Sequence, residues 1–227
     1  MAIELILMLI IPFLGGLIGV GLATKQAIEK KISHDLILVF SGAFLLSIVV
    51  LELLPALYAK GMESAGYWIL VGIFLQSFLE YFSRGAEHGH IHSNEKNSFP
   101  LLLWVSLCIH AFIEGFPLVD FPHLAYGMFV HKIPIAFILF SLLQSSRISS
   151  TSRSLSLLVF LSMTSLGGLS MWYFDVIQSY STPLLGIVVG VILHIATTII
   201  FESNEGHSFN RVKLVCILTA VGLAVIL

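Results

Sequence analysis

Long apolar windows, separated by shorter polar stretches, follow one another along the whole chain. Each window is long enough for a helix to cross a hydrocarbon core of about 30 Å. We therefore predict an all-α fold with eight transmembrane helices in one bundle. The windows lie at approximately 4–22, 34–58, 66–83, 99–119, 123–145, 155–175, 183–202 and 211–227.

Composition excludes a soluble domain of this size. Of the 227 residues, 57% are hydrophobic and 11% are charged, and the mean hydropathy is +0.99. A soluble domain could not bury so much apolar surface, so we expect a multi-pass integral membrane protein in contact with lipid. No linker is long enough to separate domains, so residues 1–227 are expected to form a single domain. Nothing in the composition calls for a nucleic-acid partner.

The basic residues indicate the direction in which the helices run. Nine of the 11 lysines and arginines fall at alternate loops or the adjacent helix ends, whereas Lys60 falls on the other side and Lys132 lies inside a window. The positive-inside rule places the side with nine in the cytoplasm and both termini outside it. We expect the plasma membrane, with the hydrophilic segment 84–98 in the cytoplasm. The nine basic residues are Lys25, Lys30, Lys31, Arg84, Lys96, Arg147, Arg153, Arg211 and Lys213.

The strongest chemical signal is the pair His110 and Glu114, one helical turn apart in the fourth window. On a helix these two side chains share a face, where an imidazole and a carboxylate form half of a divalent metal site. The fifth window adds His131, followed directly by Lys132. Ionisable side chains are expensive inside hydrocarbon, so by default they mark a site or a pathway.

Helical rise places further ionisable groups at a similar depth. At 1.5 Å per residue, His110, Glu114 and His131 lie about 13, 7 and 12 Å from the outer helix ends. On the same basis Glu52 lies about 9 Å deep on the second helix and His194 about 16 Å deep on the seventh. All five residues are therefore candidate metal ligands. Two alternatives stay open: His194 as a hydrogen-bonded structural residue, and Glu52 as a carboxylate that reaches water at the interface.

A second group of histidines lies in the hydrophilic segment. His88, His90 and His92 alternate with other residues in the segment 84–98. Imidazoles at this spacing in a flexible loop can bind Zn²⁺ or similar ions loosely. The alternative is a solvated loop in which the histidines are incidental.

These residues resemble the ZIP (Zrt/Irt-like protein) family of divalent metal transporters over nearly the whole chain. The fourth-window sequence HAFIEGF resembles the family signature His-x-x-x-Glu-Gly, and HKIPIAF lies where the fifth helix of some members carries His-Lys. The second-window sequence SGAFLLSIVVLELLPAL resembles a family pattern that ends in Leu-Leu-Pro, and the family carries a His-rich loop after its third helix. The likeness is closest to the His-Lys subgroup.

The resemblance implies a bundle of eight helices in a 3+2+3 arrangement, with the metal site on helices four and five. Many members hold two metal ions there. The positions that bind the second ion read Ala111, Lys132 and Ile135 in this chain, and none of these is a normal metal ligand. We therefore expect a mononuclear site, with Lys132 in the vacated position as a fixed cation.

The expected function is import of a divalent transition metal into the cytoplasm, not enzymatic catalysis. Zinc is the first choice, with iron and manganese as alternatives, because imidazole and carboxylate ligands suit all three. Under this hypothesis His110, Glu114 and His131 bind the ion, and Glu52 lies at the entry or gate. His194 either lines the exit route or supports the residues that bind the ion. Two rival functions stay open, an intramembrane zinc-dependent hydrolase and a non-transporting metal-binding membrane protein. The oligomeric state also stays open, with a homodimer among the alternatives.

Overall fold

The computed structural model of the protein describes residues 2–29, 34–59, 63–83, 99–202 and 211–226. Every regular element among these residues is helical, as the apolar windows predict. The elements are α1 (Ala2–Glu29), α2 (His34–Ile48), a π-helical turn (Val49–Leu53), α3 (Leu54–Ala59), α4 (Ala65–Ser83), α5 (Leu101–Glu114), a 3-10 turn (Phe116–Leu118), α6 (Leu124–Ser145), α7 (Ser150–Tyr173), α8 (Asp175–Gln178), α9 (Ser181–Glu202) and α10 (Arg211–Ile226).

Seven helical segments among the described residues are long and apolar enough to cross a membrane, with α2, the π-helical turn and α3 forming one of them. Their outward faces are apolar: α4, for example, exposes Tyr67, Phe74 and Phe78. These are the helices of an integral membrane protein. The last segment, α10, is described over 16 residues, which corresponds to about 24 Å. A count of eight spans and the side on which the termini lie therefore remain predictions.

The helices pack mainly in four pairs: α1 with α6, α4 with α9, α2 with α10, and α5 with α7. The helix α2 also contacts α6 and α9, so it joins these pairs near the middle of the bundle. The largest apolar core includes Phe44 and Leu45 of α2, Met128 of α6 and Val188 of α9, all almost fully buried.

Glycines let the paired helices approach closely. A Cβ atom at Gly72 of α4 would meet the carbonyl oxygen of Ile187 on α9, and a Cβ atom at Gly190 of α9 would meet that of Ile69 on α4. Small residues at helix contacts are typical of membrane proteins, where close backbone approach replaces the hydrophobic effect as the attraction between helices. The pair α4–α9 is therefore fixed at one distance and one register.

The second span is interrupted where its carboxylate stands. Glu52 lies in the π-helical turn, and the N–H of Leu54 donates to the carbonyl of Val49, five residues earlier. Pro55 follows, and proline has no N–H and collides with the carbonyl four residues before it. The wider turn accommodates that proline, and single π turns are frequent at functional sites.

The fourth span also ends at a carboxylate. The helix α5 stops at Glu114, and Gly115 leads into a 3-10 turn that contains Pro117. A Cβ atom at Gly115 would meet the carbonyl oxygen of Thr164 on α7, so this end of α5 lies directly against α7. This contact fixes the position of the end of α5 against α7.

The helices α4 and α5 run in opposite directions and contact each other side by side. The Ser106 hydroxyl of α5 donates to the Leu79 carbonyl of α4 at 2.6 Å, and one turn further on His110 contacts Gln76 at 3.2 Å. Moving forward along α5 corresponds to moving back along α4, which defines the antiparallel register. This register brings a polar side chain of the third span to the site on the fourth.

Candidate metal centre

Three side chains from two helices converge in the interior of the bundle. His110 and Glu114 come from α5 and His131 from α6, and each offers one ligand atom within 4.8 Å of the others. Nε2 of His110 lies 3.0 Å from Oε1 of Glu114, and Nε2 of His131 lies 3.5 Å from the same oxygen. The exposed fractions are 1% for His110 and 0% for Glu114 and His131. The structure thus brings together three of the five predicted ligands.

The spacing of the ligand atoms suits a small divalent ion. Two ligands at 2.0–2.2 Å from a tetrahedral Zn²⁺ lie roughly 3.4 Å apart. The measured separations of 3.0 and 3.5 Å fall on either side of that value. The rings of His110 and His131 meet nearly at right angles, with centroids 6.0 Å apart. An ion between them would therefore be approached by each imidazole from a different direction.

Hydrogen bonding within the group is incomplete. Nε2 of His110 and both carboxylate oxygens of Glu114 form no hydrogen bond with any of the described residues, although the closest approach is 3.0 Å. Buried polar atoms without partners are costly, because they have lost water and gained nothing in return. A cation between the ligand atoms would satisfy them, so the donor set fits a metal ion.

The ring of His110 is oriented by a glutamine on a third helix. Nδ1 of His110 lies 3.2 Å from the side-chain oxygen of Gln76, which is fully buried on α4. An amide oxygen can only accept, so Nδ1 carries the hydrogen and Nε2 presents its lone pair to Glu114. Partners of this kind fix the tautomer of metal-binding histidines. Sequence reasoning missed Gln76 because it considered ionisable groups; the signal was a lone amide inside the window 66–83.

Lys132 lies on the other side of the carboxylate. Its Nζ atom is 4.0 Å from Oε2 of Glu114 and 4.5 Å from the ring centroid of Phe160 on α7. Lys132 is 1% exposed. The neighbouring positions Ala111 and Ile135 are buried as well, at 0% and 1%. No ligand for a second ion stands at any of these three positions.

Glu52 lies apart from the three converging residues and pairs with His123, which directly precedes α6. Nδ1 of His123 donates to Oε1 of Glu52 at 2.8 Å, and the two side chains are 46% and 29% exposed, respectively. His123 was not singled out from the sequence, since it stands at a helix end where histidines are common.

His194 also lies outside the group of three. Its Nε2 atom is 2.7 Å from Oε2 of Glu80 on α4, and the side chains of His194 and Glu80 are 20% and 25% exposed. The hydroxyls of Thr197 and Thr198 donate to the His194 carbonyl in the next turn of α9. His194 and Glu52 are thus each part of a separate, partly exposed His–Glu pair. The loop histidines His88, His90 and His92 lie outside the described residues.

The sequence matches no model of a known protein family and no curated protein. The likeness to ZIP transporters therefore depends on the motifs alone. The described residues form a helical protein with apolar spans and a buried His–Glu–His group that could bind a metal ion.

Proposed function

We propose that this protein is a ZIP-like transporter that imports a divalent transition metal, with zinc as the first choice, through a single central site. The observation that carries the proposal is the convergence of His110, Glu114 and His131 inside a bundle of apolar helices. Metal-ligating side chains are expensive at this position, and their default meaning in a membrane protein is an ion site or pathway. Zinc, iron and manganese all accept two imidazoles and a carboxylate.

Burial of the ligands favours gated transport over an open pore. All three ligands are at most 1% exposed, so an ion can neither reach nor leave them without a change of conformation. The main helix pairs support the 3+2+3 arrangement. The same four helix pairs result if α1 and α7 change places, together with α2 and α9, α4 and α10, and α5 and α6. Such equivalence is expected of inverted repeats that rock around a fixed site.

The two partly exposed His–Glu pairs provide binding positions for the ion on either side of the central site. With the predicted topology, Glu52 and His123 lie toward the outside and receive the ion, whereas Glu80 and His194 lie toward the cytoplasm and receive it on release. Each pair joins a carboxylate to an imidazole within 2.8 Å. Their partial exposure suits brief, weak binding, and the buried group suits selection.

A hydrolase is the second candidate, because two histidines and one glutamate are also a ligand set of catalytic zinc. Such an enzyme needs an open coordination position with water and a general base beside it. Among the described residues, no further His, Cys, Asp or Glu joins the group of three. The side of Glu114 that faces away from the histidines holds an ammonium group. Import therefore explains more of these features of the site than hydrolysis does.

Uptake by reconstituted protein tests the proposal. We expect His110→Ala and Glu114→Ala each to abolish most Zn²⁺ uptake into proteoliposomes while the protein remains folded. Ile109→Ala is the matched control, since Ile109 directly precedes His110 on α5 and is 42% exposed. Parental rates in both site variants would show that the central group is not the transport site. Metal binding without flux in the parental protein would favour a non-transporting protein, and chelator-sensitive cleavage of lipid or peptide would favour a hydrolase.

A further inference from the structure

Lys132 places its amino group beside the carboxylate of the metal centre, in the interior of the bundle. Its side chain is 1% exposed, and its Nζ atom lies 4.0 Å from Oε2 of Glu114. The same atom stands 4.5 Å above the ring of Phe160, which is fully buried on α7. Cation–π contact of this kind helps to hold a desolvated ammonium group in place. Lys132 is therefore held in position as part of the site.

The two oxygens of Glu114 face different partners. Oε1 lies 3.0 Å from His110 and 3.5 Å from His131, whereas Oε2 faces Lys132. One oxygen is thus directed at the position an ion would occupy, and the other is directed at the amino group of Lys132, which stays attached to the protein. The carboxylate can interact with either cation without leaving its position.

Charge arithmetic explains why the second partner matters. With neutral imidazoles, Glu114 and Lys132 sum to zero when no ion is bound, and a divalent ion brings the total to +2. Without Lys132 the empty site would hold a lone carboxylate, and an unpaired buried charge is strongly unfavourable. Among the described residues, Lys132 is the only lysine or arginine within 4.0 Å of Glu114. The empty site is therefore neutral because of this one side chain.

Building on the transport function proposed above, we propose that Lys132 is a tethered counter-cation that replaces the transported ion when it leaves Glu114. The empty protein then returns to its starting conformation without carrying another ion back. The same ammonium repels the divalent ion, so it weakens binding and aids release. The inference predicts a one-way cycle that needs no counter-transported proton or metal ion.

Two kinds of flux separate this role from a purely structural one. Net uptake of Zn²⁺ into metal-free vesicles requires the empty protein to return. Exchange of radioactive Zn²⁺ against an equal concentration of unlabelled Zn²⁺ does not, because an ion is bound in both directions. The variants Lys132→Met and Lys132→Gln remove the charge at similar side-chain length, and Lys132→Arg retains it. Equilibrium dialysis of each purified variant against Zn²⁺ reports whether the site is intact.

We expect the parental protein to carry out both fluxes, with no proportional movement of protons recorded by a trapped pH dye. Lys132→Met and Lys132→Gln should lose net uptake by about tenfold or more, because the unpaired carboxylate opposes the return step. Both should keep exchange near the parental rate and bind Zn²⁺ about tenfold more tightly or better, because a like charge is gone. Lys132→Arg should keep both fluxes.

Three outcomes would overturn the counter-cation role: undiminished net uptake in both neutral variants, a parallel fall of uptake and exchange with loss of Zn²⁺ binding, or stoichiometric proton export by the parental protein. The first means that the charge is unnecessary, and the second means that Lys132 only supports the structure. The third means that another ion returns the empty protein. A parental protein without either flux refutes the transport function itself, before any variant is compared.

Discussion

The His110 Nδ1–H group donates to the side-chain oxygen of Gln76 at 3.2 Å, linking the metal centre on α5 to the neighbouring helix α4. This hydrogen bond leaves Nε2 of His110 facing Glu114. A histidine held in the opposite tautomer would present a hydrogen to the ion instead of a lone pair. The third span therefore takes part in the site although it supplies no ligand to it.

Replacement of Gln76 should weaken metal binding without removing a ligand. We expect Gln76→Leu to reduce the affinity for Zn²⁺ by about 10–100-fold, the usual cost of losing such a partner. Gln76→Glu keeps an acceptor at the same position and should retain affinity. Equilibrium dialysis of the purified variants measures both. Ser77→Ala is the control, because the Ser77 hydroxyl donates to the Ile73 carbonyl of its own helix. Parental affinity in Gln76→Leu would show that the hydrogen bond is unimportant for the ion.

The protein should bind one ion at its centre. The positions that would hold a second ion are Ala111, Lys132 and Ile135, all buried and none of them a metal ligand. After deletion of the loop histidines, metal analysis of chelator-washed and reloaded protein should approach one ion per chain. Lys132→Asp should add a second ion only when combined with Ile135→Glu. Two tightly held ions in the parental protein would contradict the assignment of a mononuclear site.

Uptake should fall as the external pH drops through the range in which histidine ordinarily titrates, near pH 6.5. Imidazole must be neutral to bind a metal, so protons compete with the ion, and acid favours the protonated, non-binding form. The measurement is the initial rate of Zn²⁺ uptake at a series of external pH values. His123→Ala removes the imidazole beside Glu52, so a pH dependence that is unchanged in this variant does not arise from that pair. Uptake that rises steadily with acidity would instead indicate proton-coupled import.

Close contact between α4 and α9 should be essential for both stability and affinity. We expect Gly72→Ala to lower the thermal unfolding temperature and to weaken Zn²⁺ binding. Its added methyl group meets the Ile187 carbonyl and would push α4, with Gln76, away from its position. Gly66→Ala on the same helix is the matched control. Among the described residues, nothing outside its own stretch of helix lies within 4 Å of a Cβ built at Gly66, and alanine favours helix by up to about 1 kcal/mol. Equal unfolding temperatures for the two variants would argue against a tight α4–α9 contact.

The apolar windows and the ligands on α5 could be predicted from the sequence because both depend on local properties. A run of apolar residues dictates a buried or lipid-facing helix, and an i, i+4 spacing dictates that His110 and Glu114 share a face. His131 could be added because helical rise places it about 12 Å from the outer end of its helix, close to the depth of His110. These inferences need no knowledge of how distant helices pack.

Only the tertiary structure decided which helix faces which. Helical rise gives the depth of Glu52 and His194, but depth says nothing about the direction in which a side chain points around the helix axis. The π-helical turn at Val49–Leu53 changes that direction, because each additional residue rotates a helix by about 100°. In the tertiary structure Glu52 pairs with His123, and His194 pairs with Glu80, instead of joining the central group. The partnership of Gln76 with His110 likewise follows from the register between α4 and α5, which depends on contacts between residues far apart in the chain.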